Sequence, residues 1–219
     1  MSQHLAKAVE KLKKMLLTLS GIIEENLSEA IKAVLARDTV KAKQIHDYDD
    51  QVDQMEVDIE EECLKILALH QPVAVDLRFI IAVLKINNDL ERIGDLSVNL
   101  AKIAGYILET PGCEIPFDYI SMGDKVRAML RKSLDSLVNM NTELAREVCS
   151  LDDEIDQINR SVYKLVSDLM KKYPEKYDCL INAISISRYL ERIADSTTNI
   201  AEDVIYMVEG KIVRHTDLD

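Results

Sequence analysis

The chain of 219 residues has no tryptophan, two phenylalanines, six glycines and four prolines. Sheets draw on aromatic residues and need Gly and Pro at frequent turns. The composition is therefore poor for a β protein and good for long helices. Positive charge is also short, with 27 Lys and Arg against 39 Asp and Glu and a formal net charge of −12. That balance argues against nucleic acid as a partner, because binding phosphates needs a basic surface. The four histidines (His4, His46, His70, His215) share no spacing, and no Glu-x-x-His occurs, which removes the signature of ferritin-like di-iron enzymes. Gly-rich phosphate loops, a Ser nucleophile elbow and Cys–His pairing are missing as well, so nothing points to an enzyme. Cys63, Cys113, Cys149 and Cys179 form no CxxC pair and no zinc spacing. They read as incidental thiols of a reduced, cytoplasmic chain. Met1 to Leu19 mixes Lys and Glu into its apolar positions, unlike a signal peptide or a bilayer span. A link to a membrane would then run only through partners.

What is present is periodic. Hydrophobic residues make up 47 % of the chain, enough for a core, and one stretch occurs twice. The first copy reads Leu90-Glu91-Arg92-Ile93-Gly94-Asp95-Leu96-Ser97-Val98-Asn99-Leu100-Ala101, and the second Leu190-Glu191-Arg192-Ile193-Ala194-Asp195-Ser196-Thr197-Thr198-Asn199-Ile200-Ala201. Glu91, Asp95 and Asn99 stand at i, i+4 and i+8, as do Glu191, Asp195 and Asn199. On an α-helix this spacing stacks oxygen-bearing side chains along one stripe. The apolar residues beside them form a neighbouring stripe that must face a core. A second echo pairs Asp49-Asp50-Gln51-Val52-Asp53-Gln54 with Asp152-Asp153-Glu154-Ile155-Asp156-Gln157. Its offset is 103 rather than 100, which predicts a longer connection between the second and third helices of the first half. Both echoes indicate a duplicated unit.

Apolar spacing predicts helices over 4–36, over 39–69 with Asp38 as N-cap, and over 75–108 after a stop at His70-Gln71-Pro72. Residues 109–118 hold Thr110-Pro111-Gly112 and Pro116, the densest breakers in the chain, and read as a linker. The plan then repeats over 119–139, over 142–172 with Asn141 as N-cap, and over 176–209 with Gly210 as the stop. The predicted fold class is all-α: two tandem antiparallel three-helix bundles related by internal duplication, 1–108 and 119–219.

Each bundle then carries two acidic pairs on neighbouring helices. Asp49, Asp53, Glu91 and Asp95 should converge in the first bundle, and Asp152, Asp156, Glu191 and Asp195 in the second. Asn99 and Asn199 lie one turn further along, as supplementary ligands or as groups that orient the ligands. Like charges at this spacing repel by on the order of 4 kcal/mol at an effective dielectric near 20, less where water screens them. Arg92 and Arg192 point about 100° away from the glutamates and reach toward another helix. The other compensator is a metal ion, since carboxylate and amide oxygens are hard ligands suited to Mg, Ca, Mn or iron. A solvated acidic face is the plainer alternative, and the position-by-position duplication weighs against it. Gly94 and Ala194, small at equivalent places, predict close helix approach at the level of the acids.

The run Pro72-Val73-Ala74-Val75-Asp76-Leu77-Arg78, the two Leu-Glu-Arg-Ile-(Gly/Ala)-Asp segments and the ending Val208-Glu209-Gly210-Lys211 with Arg214-His215 resemble the PhoU family of phosphate-uptake regulators. The likeness covers essentially the whole chain. The family's pattern has Gly after Leu-Glu-Arg-Ile in both copies, and here the second has Ala194. The resemblance implies two tandem three-helix bundles whose repeated acidic motifs can hold multinuclear metal clusters, iron foremost, with Zn, Mn, Mg or Ca as alternatives. It also implies a cytoplasmic homodimer that couples the ATP-binding subunit of a phosphate ABC transporter to a phosphate-sensing histidine kinase and represses phosphate-starvation genes. Two readings from other classes stand beside this signalling adaptor. One is a metal-dependent enzyme or metal store using the same carboxylates, disfavoured by the missing His ligands and nucleophiles. The other is a structural adaptor with merely solubilising acids, disfavoured by the repeat.

Overall fold

The structure is a computed structural model that describes residues 3–213; Arg214 and His215 lie outside the described residues. Helix α1 spans Gln3–Ala36 and buries Leu12, Leu16, Leu19, Ile23, Leu27 and Val34 at helical spacing. It ends at Arg37, which takes the left-handed conformation with φ 54°. Helix α2 spans Thr39–Asp47, capped by the Asp38 side chain, which accepts from the Lys41 N–H at 2.9 Å. Helix α3 spans Asp49–His70 and α4 spans Ala74–Glu109. In the second half, α5 spans Tyr119–Asn139 with Asp118 as cap, α6 spans Thr142–Lys172 with Asn141 as cap, and α7 spans Tyr177–Glu209, closed by Gly210 at φ 72°. A short 3₁₀ turn, Pro174–Lys176, leads into α7. The described residues contain no strand. The chain is all-α, with α1, α2/α3 and α4 as one three-helix bundle and α5, α6 and α7 as the other.

Two details differ from the sequence reading. The helix expected over 39–69 is interrupted at Tyr48. Asp47, Asp49 and Asp50 crowd this point, and Asp competes for backbone hydrogen bonds and favours helix ends over interiors. At the counterpart position α6 has Leu151 and runs unbroken. The connection after α3 is also not the longer one. It spans 71–73, against 173–176 in the second half. The three extra residues instead lie within α4, which runs 17 residues from Ala74 to Glu91, where α7 runs 14 from Tyr177 to Glu191. A helix absorbs three residues as most of one added turn, so the offset between repeats changes without a longer loop.

Helices α4 and α7 are the central pair. Half of the 36 residues of α4 are buried, against five of the 31 in α6. The two lie against each other antiparallel: Lys85 pairs with Asp203 at 3.1 Å, and Asn199 donates to Asp89 at 3.1 Å. Helix α1 packs on α5, and the Arg127 guanidinium of α5 donates to the Ser28 hydroxyl of α1. One apolar core runs through both bundles, from Leu12, Ile23 and Ile59 to Leu130, Ile186 and Ile200. At Gly94 an added Cβ would stand 3.0 Å from Ile23 Cδ1 and 3.4 Å from Val52 Cγ1, so α1, α3 and α4 approach closely there.

The cysteines correct the sequence reading. Cys113 and Cys179 form a disulfide, with Cα atoms 5.3 Å apart, while Cys63 and Cys149 are free thiols. Sixty-six residues separate the bonded pair, so no local spacing announces it. No helix among the described residues is long and apolar enough to cross a membrane.

Candidate metal centres

The acidic stripes occupy the one side of each central helix that water reaches. On α4, Ile93, Gly94, Leu96, Ser97 and Val98 are buried while Asp95 is exposed and Glu91 half-buried. On α7, Ile193, Ala194, Ser196 and Thr197 are buried, Asp195 is exposed and Glu191 half-buried. The outer helices α3 and α6 present their own acids to these stripes.

In the second bundle Asp156 of α6 and Glu191 and Asp195 of α7 bring carboxylate oxygens within 4.8 Å of one another. Asp152 lies one turn away on α6, its carboxyl pushed up to about 6 first by burial and then by the charges of Asp195 and Asp156, with the Thr198 hydroxyl acting the other way. Burial and then Asp195, Asp156 and Asp152 raise Glu191, which Arg188 opposes. Asp195 reaches solvent, yet protein crowds its carboxyl; this desolvation and then Asp156 raise it, while Arg92 and Arg192 lower it. Arg92 belongs to α4, so a guanidinium from the first bundle acts on the acids of the second. Asp152, Glu191 and Asp195 are thus all shifted upward because desolvation and like charge both disfavour ionisation.

The first bundle repeats the arrangement more loosely. Asp49 is raised by burial and by Asp95 and Asp53, with His46 and Lys102 opposing. Glu91 is raised by burial and by Asp95, Asp53, Glu56 and Asp49. The four acids therefore share one region, yet among the described residues only the second bundle gathers three ligand oxygens. The asparagines diverge from this picture. Asn199 donates to Asp89 across the α4–α7 interface, facing the other bundle, whereas Asn99 is half-buried on α4.

The columns extend one turn further than the sequence reading took them. Asn87 donates to the Glu56 backbone carbonyl at 2.9 Å and to its carboxylate at 3.3 Å. At the counterpart positions the Ser187 hydroxyl donates to Asn159 Oδ1 at 2.6 Å. Both pairs tie a central helix to its outer neighbour beside the acids. The signal was available: Asn87 stands four residues before Glu91 and Ser187 four before Glu191. Glu56 and Asn159 keep the same offset of 103 as the aspartates.

Asp156, Glu191 and Asp195 supply only hard oxygens at mutual distances suited to a common cation, so this donor set fits a metal ion.

Comparison with known proteins gives these features a family. The model of the PhoU domain matches twice, over residues 16–104 and 119–204. The chain belongs to the PhoU family. It is 37 % identical to the phosphate-specific transport system accessory protein PhoU homolog of Pseudomonas putida, over 99 % of this chain and 85 % of that protein. The crystal structure of PhoU from Pseudomonas aeruginosa superposes with a TM-score of 0.90 at 35 % identity, covering 94 % of this chain and 99 % of the other. That of the phosphate transport system regulatory protein PhoU from Streptococcus pneumoniae gives 0.88 at 28 % identity, with 95 % and 99 % covered. PhoU proteins are accessory and regulatory proteins rather than enzymes.

Proposed function

We propose that this PhoU-family chain regulates a phosphate-specific transport system by binding, without turnover, and that its carboxylate columns hold metal ions. The observation that carries the regulatory role is likeness over nearly the whole chain to accessory proteins of that transport system. In the fuller reading the chain is a cytoplasmic homodimer. It joins the transporter's ATP-binding subunit to a phosphate-sensing histidine kinase and lowers starvation-gene expression when phosphate is plentiful.

Asp156, Glu191 and Asp195 would hold the ion in the second bundle, with Asp152 beside them, and Asp49, Asp53, Glu91 and Asp95 in the first. A bound cation, iron foremost and Zn, Mn, Mg or Ca otherwise, would supply the positive charge these carboxylates need in order to ionise together. The Asn87–Glu56 and Ser187–Asn159 bonds hold each outer helix in register with its central partner. Arg92 and Arg192 temper the charge at Asp195. Acids and apolar stripes are separate residues, so loss of the ion loosens α3 from α4 and α6 from α7 before it disturbs the core.

The test has three arms. Deleting the gene should raise phosphate-starvation gene expression in phosphate-rich medium, and unchanged repression in a strain with no second copy would overturn the regulatory role. Complementation with Asp95→Ala/Asp195→Ala should fail, and full rescue would remove the metal from the mechanism. Elemental analysis of protein purified without chelator should find metal in the wild type and less in the double variant.

A further inference from the structure

The linker between the bundles is fastened rather than slack. Cys113 is bonded to Cys179, in the first turn of α7, and both residues are buried. The Arg37 guanidinium, at the end of α1, donates to the Cys113 carbonyl at 2.7 Å. Beyond it Ile115 and Phe117 pack on a small apolar cluster apart from the main core, formed by Val162 and Val166 of α6 and Leu180 and Ala183 of α7. Pro111, Gly112 and Glu114 are exposed, and Gly112 adopts φ 70° in a turn that the Cys113 N–H closes by donating to the Thr110 carbonyl at 3.2 Å. Since the repeats are offset by 100, the counterparts of Cys179 and Cys113 are Phe79 and Val213. The cross-link exists at one end only.

We propose that Cys113 and Cys179 form a reversible redox clamp: as a disulfide it holds the linker over the tip of α6 and α7, and as two thiols it releases it. The reductant is a protein dithiol or a pair of small thiols. One of its thiolates attacks a clamp sulfur once the linker lifts, the Cys113–Cys179 bond breaks, and a mixed disulfide forms. Its second thiol resolves that bond. Two electrons and two protons end on Cys113 and Cys179, and the reductant leaves as its disulfide. Re-oxidation is the reverse exchange with a small disulfide, which accepts the same electrons and protons. Cys63 and Cys149 stay outside the exchange, since burial pushes their thiols up to about 12 and about 11 and so keeps them from the reactive thiolate form. Release uncovers the Val162–Ala183 cluster. It acts locally, because Glu191 lies twelve residues along α7 from Cys179, about 18 Å of helix.

The test uses the full chain equilibrated with glutathione disulfide or with dithiothreitol. Thiol titration after unfolding should find two thiols in the oxidised protein and all four cysteines in the reduced one. Reduction should speed amide hydrogen exchange by about tenfold or more across the linker and the first turns of α7 while leaving the amides around Glu91 and Glu191 unchanged. Cys113→Ser/Cys179→Ser should exchange like the reduced protein whether or not reductant is present. Four thiols after oxidation, equal linker exchange in the two redox forms, or exchange that rises alike throughout the chain would each overturn the clamp.

Discussion

The two bundles carry the same acidic motif on differently supported frames. In the second, α6 runs unbroken past Asp152 and Asp156, three carboxylates meet within 4.8 Å, and a guanidinium from α4 tempers the cluster. In the first, the outer rod is interrupted at Tyr48, immediately before Asp49, and the acids influence one another without gathering so tightly. A motif that places carboxylates on a helix does not by itself set how closely they approach those of the next helix.

The largest effect expected from separating the halves is on stability. Reducing the Cys113–Cys179 bond should lower the unfolding free energy by about 4 kcal/mol, as loop-closure entropy predicts for a tie across 66 residues. Urea titration with and without reductant measures it, and no change in midpoint would show that the linker is held by packing alone. Next is metal affinity. Asp195→Ala should weaken Mn²⁺ binding by on the order of 100-fold and Asp95→Ala by about 10-fold, a range typical of perturbed metal sites. Titration calorimetry giving equal losses would erase the difference between the bundles.

Gly94→Ala should cost about 1 kcal/mol, the gain in helix propensity being outweighed by overpacking against Ile23. In an Ile23→Val background, which removes the offending Cδ1, the same change should turn neutral or stabilising. Ala194 already carries the methyl that Gly94 lacks. A pH profile of the chelated protein tests the acids directly. Asp152 titrates near 6 when folded and near 3.8 when unfolded, so between these values the folded chain binds more protons. Its stability should therefore rise as pH falls from neutral through about 6 and level off below the unfolded value. Asp152→Asn should flatten this rise, and an unaltered profile would place the strain elsewhere. Smallest is Tyr48→Leu, which should stabilise the first bundle by a few tenths of a kcal/mol by favouring a continuous helix.

Local features were legible in the sequence. The Asp38 and Asn141 caps, the stop before Pro72 and the end at Gly210 are short-range hydrogen-bonding and dihedral constraints, and the structure places all four where the residues put them. Helix spacing likewise put Glu91 with Asp95 and Glu191 with Asp195 on common stripes. Features that depend on residues far apart were not legible. The disulfide joins positions 66 apart, Asn199 finds Asp89 across 110 residues, and Arg92 reaches an acid of the other half. The break at Tyr48 is local but balanced, since Asp weakens a helix interior without forbidding it. The offset of 103 shows that the first half holds three extra residues but not where they lie, and a longer run of α4 before Glu91 holds them rather than a loop.

The antiparallel pairing of α4 and α7 also bears on how such a chain could arise. If one repeat paired with an identical copy of itself across this face, symmetry would require every contact to occur twice, residue i on j and j on i. Lys85 meeting Asp203 would then demand a second lysine–aspartate pair at the counterpart positions, where Ser185 and Ile103 stand instead. Fusion into one polypeptide lifts that requirement. It supplies the companion repeat at fixed stoichiometry and high effective concentration, and leaves each copy free to mutate against a neighbour no longer its twin. A lysine paired with a buried aspartate at one end of the seam and an apolar residue at the other is the mark of that freedom.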